Sequence, residues 1–167
     1  MRLCRYTQQN QTQAGLYDET SIVSLAAAAE AYRTATKDNV QLAPGDNLLD
    51  YLPHGTHAAA AAKVAAWAAQ NRSALAAVST PTSSVQLHMP IPRPNKLFLL
   101  AGNYAEHIRE GGGVAAERAE TFPYVFMKPP STTLIDPGAT VKIPRVSPGA
   151  IDWELELAVV IGQRCKH

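Results

Sequence analysis

The chain has 167 residues, 46% hydrophobic and 17% charged, enough for one ordinary domain or a small domain joined to part of a larger one, and too apolar for a disordered tail. Fifteen Lys and Arg against fourteen Asp and Glu leave a net charge of +1, so the field that grips nucleic acid or an anionic membrane is missing, and neither is expected as a partner. Two cysteines, Cys4 and Cys165, exclude a disulfide framework, and the lack of an apolar leader or of an apolar run of roughly 20 residues points to a soluble, cytoplasmic setting.

Residues 1–6 alternate apolar and polar side chains as a strand does, and residues 15–17 and 21–23 predict two more short strands around a turn. Residues 24–36 and 58–77 are Ala-rich, the second with Val64, Trp67 and Leu75 at spacings a helix places on one side, which predicts two helices packed on that small sheet. Ala-rich helices bury little area each, so this part is expected to lean on a neighbour. Residues 79–84 read as a Ser/Thr/Pro linker, and Pro90, Pro92 and Pro94 bar a helix after it. The expected organisation is therefore α+β: a small N-terminal α/β domain over residues 1–85, then a mainly β domain over 86–167.

In the second part, residues 96–101, 124–128, 140–143 and 152–161 predict strands separated by Pro/Gly turns, with a short helix at 103–110. Asp136-Pro137-Gly138 has the chemistry of a corner between two strands, with a structural acid. The apolar run Leu157-Ala158-Val159-Val160-Ile161 has no later element to cover it, which suggests a truncated chain or a partner subunit. His54 and His57, in a glycine-containing turn with no third ligand nearby, read as surface loop.

Two stretches carry chemistry. Strand alternation over residues 152–157 places Asp152, Glu154 and Glu156 on one face, continued by Ala158 and Val160. A solvated polar face is the ordinary explanation for an acidic strand. Acids bordering apolar positions, however, must take up protons or find a cation, and oxygen-only ligands suit Mg²⁺, Mn²⁺ or Ca²⁺. In the helix, Asn103 and Glu106 have capping-box spacing, His107 and Glu110 are three apart on one face, and Gly111-Gly112-Gly113 ends the element. The carboxylate can orient the imidazole as a base, and a glycine run beside it suits a closing lid, although an exposed pair beside an ordinary loop has the same pattern.

Four segments in order, Pro90-Ile91-Pro92-Arg93-Pro94-Asn95-Lys96, Gly102-Asn103-Tyr104-Ala105-Glu106-His107, Phe126-Met127-Lys128-Pro129 and the stretch from Asp152 to Gly162, resemble the fumarylacetoacetate hydrolase family. Met1-Arg2-Leu3-Cys4-Arg5-Tyr6 resembles the opening strand of its bacterial members. The resemblance implies a mixed β-roll catalytic domain, here incomplete, behind a smaller domain, in homodimers with a Mg²⁺ or Mn²⁺ site. It makes Glu154 and Glu156 two metal ligands, His107 and Glu110 the lid dyad, and Lys128 a residue near the pocket, and it puts the third acidic ligand beyond His167. The substrate class it implies is a 2-oxo acid, hydrolysed, decarboxylated, hydrated, isomerised or cleaved, as in the breakdown of aromatic compounds. Two alternatives stay open: a non-catalytic fragment that folds or dimerises, and a cation-binding module in which His107 has no role.

Overall fold

The computed structural model describes residues 2–115, 120 and 122–166. It forms two compact units, Met1–Ile91 with Asp136–His167, and Pro92–Ile135. The arrangement is α+β, and every described strand pair is antiparallel.

The larger unit is built on one sheet. Strands β1 (Arg2–Gln8) and β2 (Gln11–Tyr17) pair over seven residues, from Arg2↔Tyr17 to Gln8↔Gln11. Gln9 and Asn10 join them with φ of 49° and 62°, the two left-handed residues that a tight hairpin needs to match the strand twist. Both strands are longer than their patterns predict, because the ladder carries the polar residues of the hairpin along with it. Strand β3 (Ser21–Ser24) pairs with β2, and the other side of β1 takes β5 (Gln86–His88). Strand β4 (Thr80–Pro81), within the expected linker, pairs with β3 and completes the order β4-β3-β2-β1-β5. Its Pro81 is tolerated because β4 is an edge.

Helix α1 (Leu25–Thr36) starts where Ser24 Oγ accepts the Ala27 N–H at 3.1 Å, and ends at Lys37, left-handed at φ 63°, whose N–H donates to Arg33 O. Helix α2 (Ala58–Gln70) buries Ala61, Val64 and Ala68, three- and four-residue steps along one face. The predicted helix over 58–77 breaks at Asn71, whose amide donates to Trp67 O at 2.8 Å, and continues as a 3₁₀ helix, Arg72–Val78, that still buries Leu75. Trp67 meets Tyr32 edge to face, with ring centroids 5.8 Å apart.

One sheet face, through Ala14, Leu16 and Val23, packs on both helices and on Val40, Leu42, Leu48 and Tyr51 of the intervening segment. The other face carries Cys4, Tyr6 and Ile22, where burial pushes the Cys4 thiol up to about 11. Gly15 is required on this second face: a Cβ there would stand 2.7 Å from Tyr6 Cε1 and 2.9 Å from Val23 O. His57 stacks on Tyr51, with ring centroids 5.9 Å apart, beside α2.

The strands predicted at 140–143 and 152–161 do not form: among the described residues neither segment belongs to a strand. Alternation orders side chains on two faces but supplies no ladder, and the Asp152 carboxylate accepts the Trp153 N–H at 2.8 Å, a local bond that competes with strand pairing. Trp153, Leu155 and Leu157 are left 84–89% exposed. Among the described residues no helix is long and apolar enough to cross a membrane.

The turn between β2 and β3 rests on Asp18. Its buried carboxylate accepts the Thr20 and Ser21 N–H groups at 3.0 and 2.9 Å and meets Arg72 Nη1 at 2.8 Å. The amides of Thr20 and then Ser21 bring its pKa from 3.8 down to about 2. A depressed carboxylate pKa contributes stability above the unfolded value that is lost as pH falls through the folded one. Asp18→Ala should therefore lower unfolding stability by roughly 2 kcal/mol at about pH 7, and the gap to the wild type should close between about pH 4 and pH 2. Urea titrations across that range check it; a gap independent of pH would refute the linkage.

Candidate functional site

In the smaller unit, β6 (Phe98–Ala101) pairs with β7 (Tyr124–Met127) in the register Leu99↔Phe126 and Leu100↔Val125. Gly102, at φ +66°, turns the chain out of β6 toward α3 (Ala105–Glu110). The capping box expected of Asn103 and Glu106 is not made. The cap residue is Tyr104, which places Glu106 at the second helical position instead of the third, and Glu106 pairs with Arg109.

Helical spacing brings His107 Nδ1 to 3.7 Å from Glu110 Oε2. That is an ion-pair separation, longer than a hydrogen bond, and with the side chains 53% and 78% exposed water screens it. The glycine run closes the helix. Gly113 N–H donates to Ile108 O and Gly112 N–H to Arg109 O, both at 2.9 Å, with Gly112 left-handed at φ +79°, a Schellman cap. The run therefore has a structural task at the helix end whether or not it serves a lid.

Lys128 follows β7 directly. Its backbone N–H donates to Leu97 O at 3.3 Å, extending the β6–β7 pairing by one bond, and its side chain is exposed. The diproline after it opens the short helix α4 (Pro130–Thr133) with proline in its first turn.

Glu154 and Glu156 belong to the larger unit, in the irregular 151–161 segment, and both are exposed. Their carboxylates are the donor type that Mg²⁺ and Mn²⁺ take, so they fit such an ion in kind; in number they supply part of an octahedral shell. Among the described residues no three His, Cys, Asp or Glu side chains converge as a metal-ligand set.

A polar cluster escapes sequence reasoning altogether. His88, at the end of β5, lies 2.8 Å from Asp136 Oδ2 through Nδ1 and 2.7 Å from Thr7 Oγ1 through Nε2. The His88 hydrogen bond, then the Met89 N–H, hold the Asp136 carboxyl below its usual range. The Asp136-Pro137-Gly138 turn is present, with Gly138 at φ +78° and Ala139 N–H on Asp136 O, but its flanks are irregular. A turn aspartate is visible in sequence; a partner 48 residues away is not.

The sequence model of the family described as "Fumarylacetoacetate (FAA) hydrolase C-terminal" matches residues 96–167. An uncharacterized protein of Pyrococcus horikoshii is 48% identical over 75 residues, 45% of this chain and 30% of that protein. Oxaloacetate tautomerase YisK of Bacillus subtilis is 36% identical over 122 residues, 72% of this chain and 39% of the relative. The mitochondrial oxaloacetate tautomerase Fahd2a of Rattus norvegicus is 37% identical over 87 residues, 52% of this chain and 26% of the relative. The chain thus covers less than two fifths of the length of each of these three.

The Schellman cap yields a test that does not depend on function. Gly112→Ala meets no side chain or backbone within 4 Å, so its whole cost is left-handed backbone strain, about 1 kcal/mol. Amide exchange over 105–110 should accelerate about fivefold while α1 and α2 keep their rates; unchanged exchange in α3 would show that the cap does not hold the helix.

Proposed function

We propose that this chain, whose residues 96–167 match the fumarylacetoacetate hydrolase model, belongs to that family and contributes to a divalent-metal-dependent enzyme of 2-oxo acids, a hydrolase or lyase whose reaction passes through an enolate. The observation that supports this reading is coincidence of position: the matched stretch 96–167 contains His107, Glu110, Glu154 and Glu156, which ligand type and spacing single out, together with Lys128, which the family resemblance adds.

Glu154 and Glu156 are this chain's contribution to a Mg²⁺ or Mn²⁺ site, and the shell is completed by other oxygen donors, water and substrate. When bound, the ion supplies positive charge opposite the substrate's oxygens. His107, with Nδ1 toward Glu110, exchanges its proton at Nε2, while Glu110 biases the ring orientation. For cleavage of an acylpyruvate carbon–carbon bond, that nitrogen takes a proton from the attacking water. For keto–enol isomerisation it carries the proton itself. The Lys128 ammonium balances the substrate's carboxylate. The catalytic β-roll, a homodimer and a cytoplasmic setting accompany this proposal.

Within the same chemistry, the names of two relatives as oxaloacetate tautomerases favour isomerisation over hydrolysis. One residue set serves both, because the two reactions share the enolate and differ in where the base takes its proton from, the attacking water in hydrolysis and the substrate itself in isomerisation.

Mn²⁺ titration calorimetry separates the ligands from the base. Glu154→Gln and Glu156→Gln should each weaken Mn²⁺ binding at least tenfold, whereas His107→Ala should leave it within about twofold. Binding unaffected by both glutamine variants would remove the ligand assignment. In an active preparation followed by the enol absorbance of oxaloacetate or of an acylpyruvate, His107→Ala should cut turnover about 10²-fold or more; an unchanged rate would remove the base.

A further inference from the structure

The chain leaves the larger unit after Ile91 and re-enters it at Asp136. The residue of re-entry is bonded to the strand the chain has just left. Asp136 Oδ2 lies 2.8 Å from His88 Nδ1, and Oδ1 accepts the Met89 N–H at 2.8 Å, so both carboxylate oxygens are engaged by consecutive residues at the end of β5. Behind them, His88 Nε2 is 2.7 Å from Thr7 Oγ1, and that hydroxyl is 2.7 Å from Thr12 Oγ1 across the β1–β2 ladder.

The acceptor-only carboxylate sets the direction of this relay. In the neutral ring the proton sits on Nδ1, Nε2 accepts from the Thr7 hydroxyl, and Thr7 Oγ1 accepts from Thr12. Arg5, bonded to Asp46 through Nε at 3.0 Å and Nη2 at 2.8 Å, adds positive charge to the field at Asp136. The order Thr-His-Asp also occurs in nucleophile relays. Here, however, Thr7 lies inside β1 with β2 and β5 on either side, so the backbone amides an oxyanion would need are spent on ladders.

We infer that Asp136, His88 and Thr7 form a non-covalent clasp that closes the root of the inserted unit Pro92–Ile135. Strand β5 is a three-residue edge held by three pairs to β1, an arrangement that frays readily. The clasp joins that edge to a residue 48 positions later, and His88, with a side chain 13% exposed, is withdrawn enough from water for the bonds to count. This inference does not depend on the proposed enzymatic reading, since none of the clasp residues belongs to that site.

Hydrogen exchange by mass spectrometry on the whole chain tests it. In Asp136→Ala, residues 86–91 and 136–139 should exchange about tenfold faster while α1 and the β1–β2 hairpin stay within about twofold of wild type. Unchanged exchange at 86–91, or equal acceleration throughout α1 and α2, would overturn the clasp. A second measurement needs no variant: imidazole ¹⁵N shifts should show neutral His88 protonated at Nδ1 and bare at Nε2, and the opposite tautomer would overturn it as well.

Discussion

A β-strand has no hydrogen bonds of its own; it exists where a neighbouring backbone completes it, and β1, like β2 and β3, has a neighbour on each side. Seven residues pair with β2 and three with β5, and the same seven residues present Leu3 to the helical layer and Cys4 and Tyr6 to the opposite cluster. The clasp at His88 takes its position from that strand, while α1 packs on the neighbouring β2 and β3. Residues 152–161 show the same constraint from the other side. Their alternation is stronger than that of β1, yet no strand forms among them, because face preference orders side chains without satisfying amides.

The candidate catalytic residues divide along the same line. His107 and Glu110 are brought near each other by one helical turn, and the left-handed Gly112 cap closes the element they stand on, so their geometry is local. Glu154 and Glu156 are two apart in an extended-type pattern, and how two carboxylates at that spacing meet an ion depends on what the backbone beside them does. Their chemistry as hard donors is intrinsic; the geometry the proposed ligand role needs would have to come from that backbone.

Two aspartates in turns make a related contrast. Asp18 satisfies the amides two and three residues ahead of it, a local arrangement written in the order Asp-Glu-Thr-Ser, and reaches Arg72 as well. Asp136 sits in an equally recognisable Asp-Pro-Gly turn, but its side chain faces backward to His88 and Met89. The first role follows from the turn; the second needs β5 to be docked on β1 before the carboxylate finds its partners.

Much was therefore legible before any fold was known: the α+β composition, the helix at Leu25–Thr36, the buried step pattern of Val64 and Leu75, the His107–Glu110 pairing and the resemblance to the family whose model matches residues 96–167. These depend on contacts within a few residues or on residue order, which a linear chain carries in full. The extension of β1 and β2 through Gln8 and Gln11, the break at Asn71, the recruitment of Thr80–Pro81 as an edge strand, the loss of the strand at 152–161 and the Thr7–His88–Asp136 relay were not legible. The break at Asn71 and the hairpin end at Gln8 and Gln11 turn on short-range bonds that compete with an equally good local alternative, and the others on a hydrogen bond, made or missing, to a group distant along the chain, which residue order does not specify.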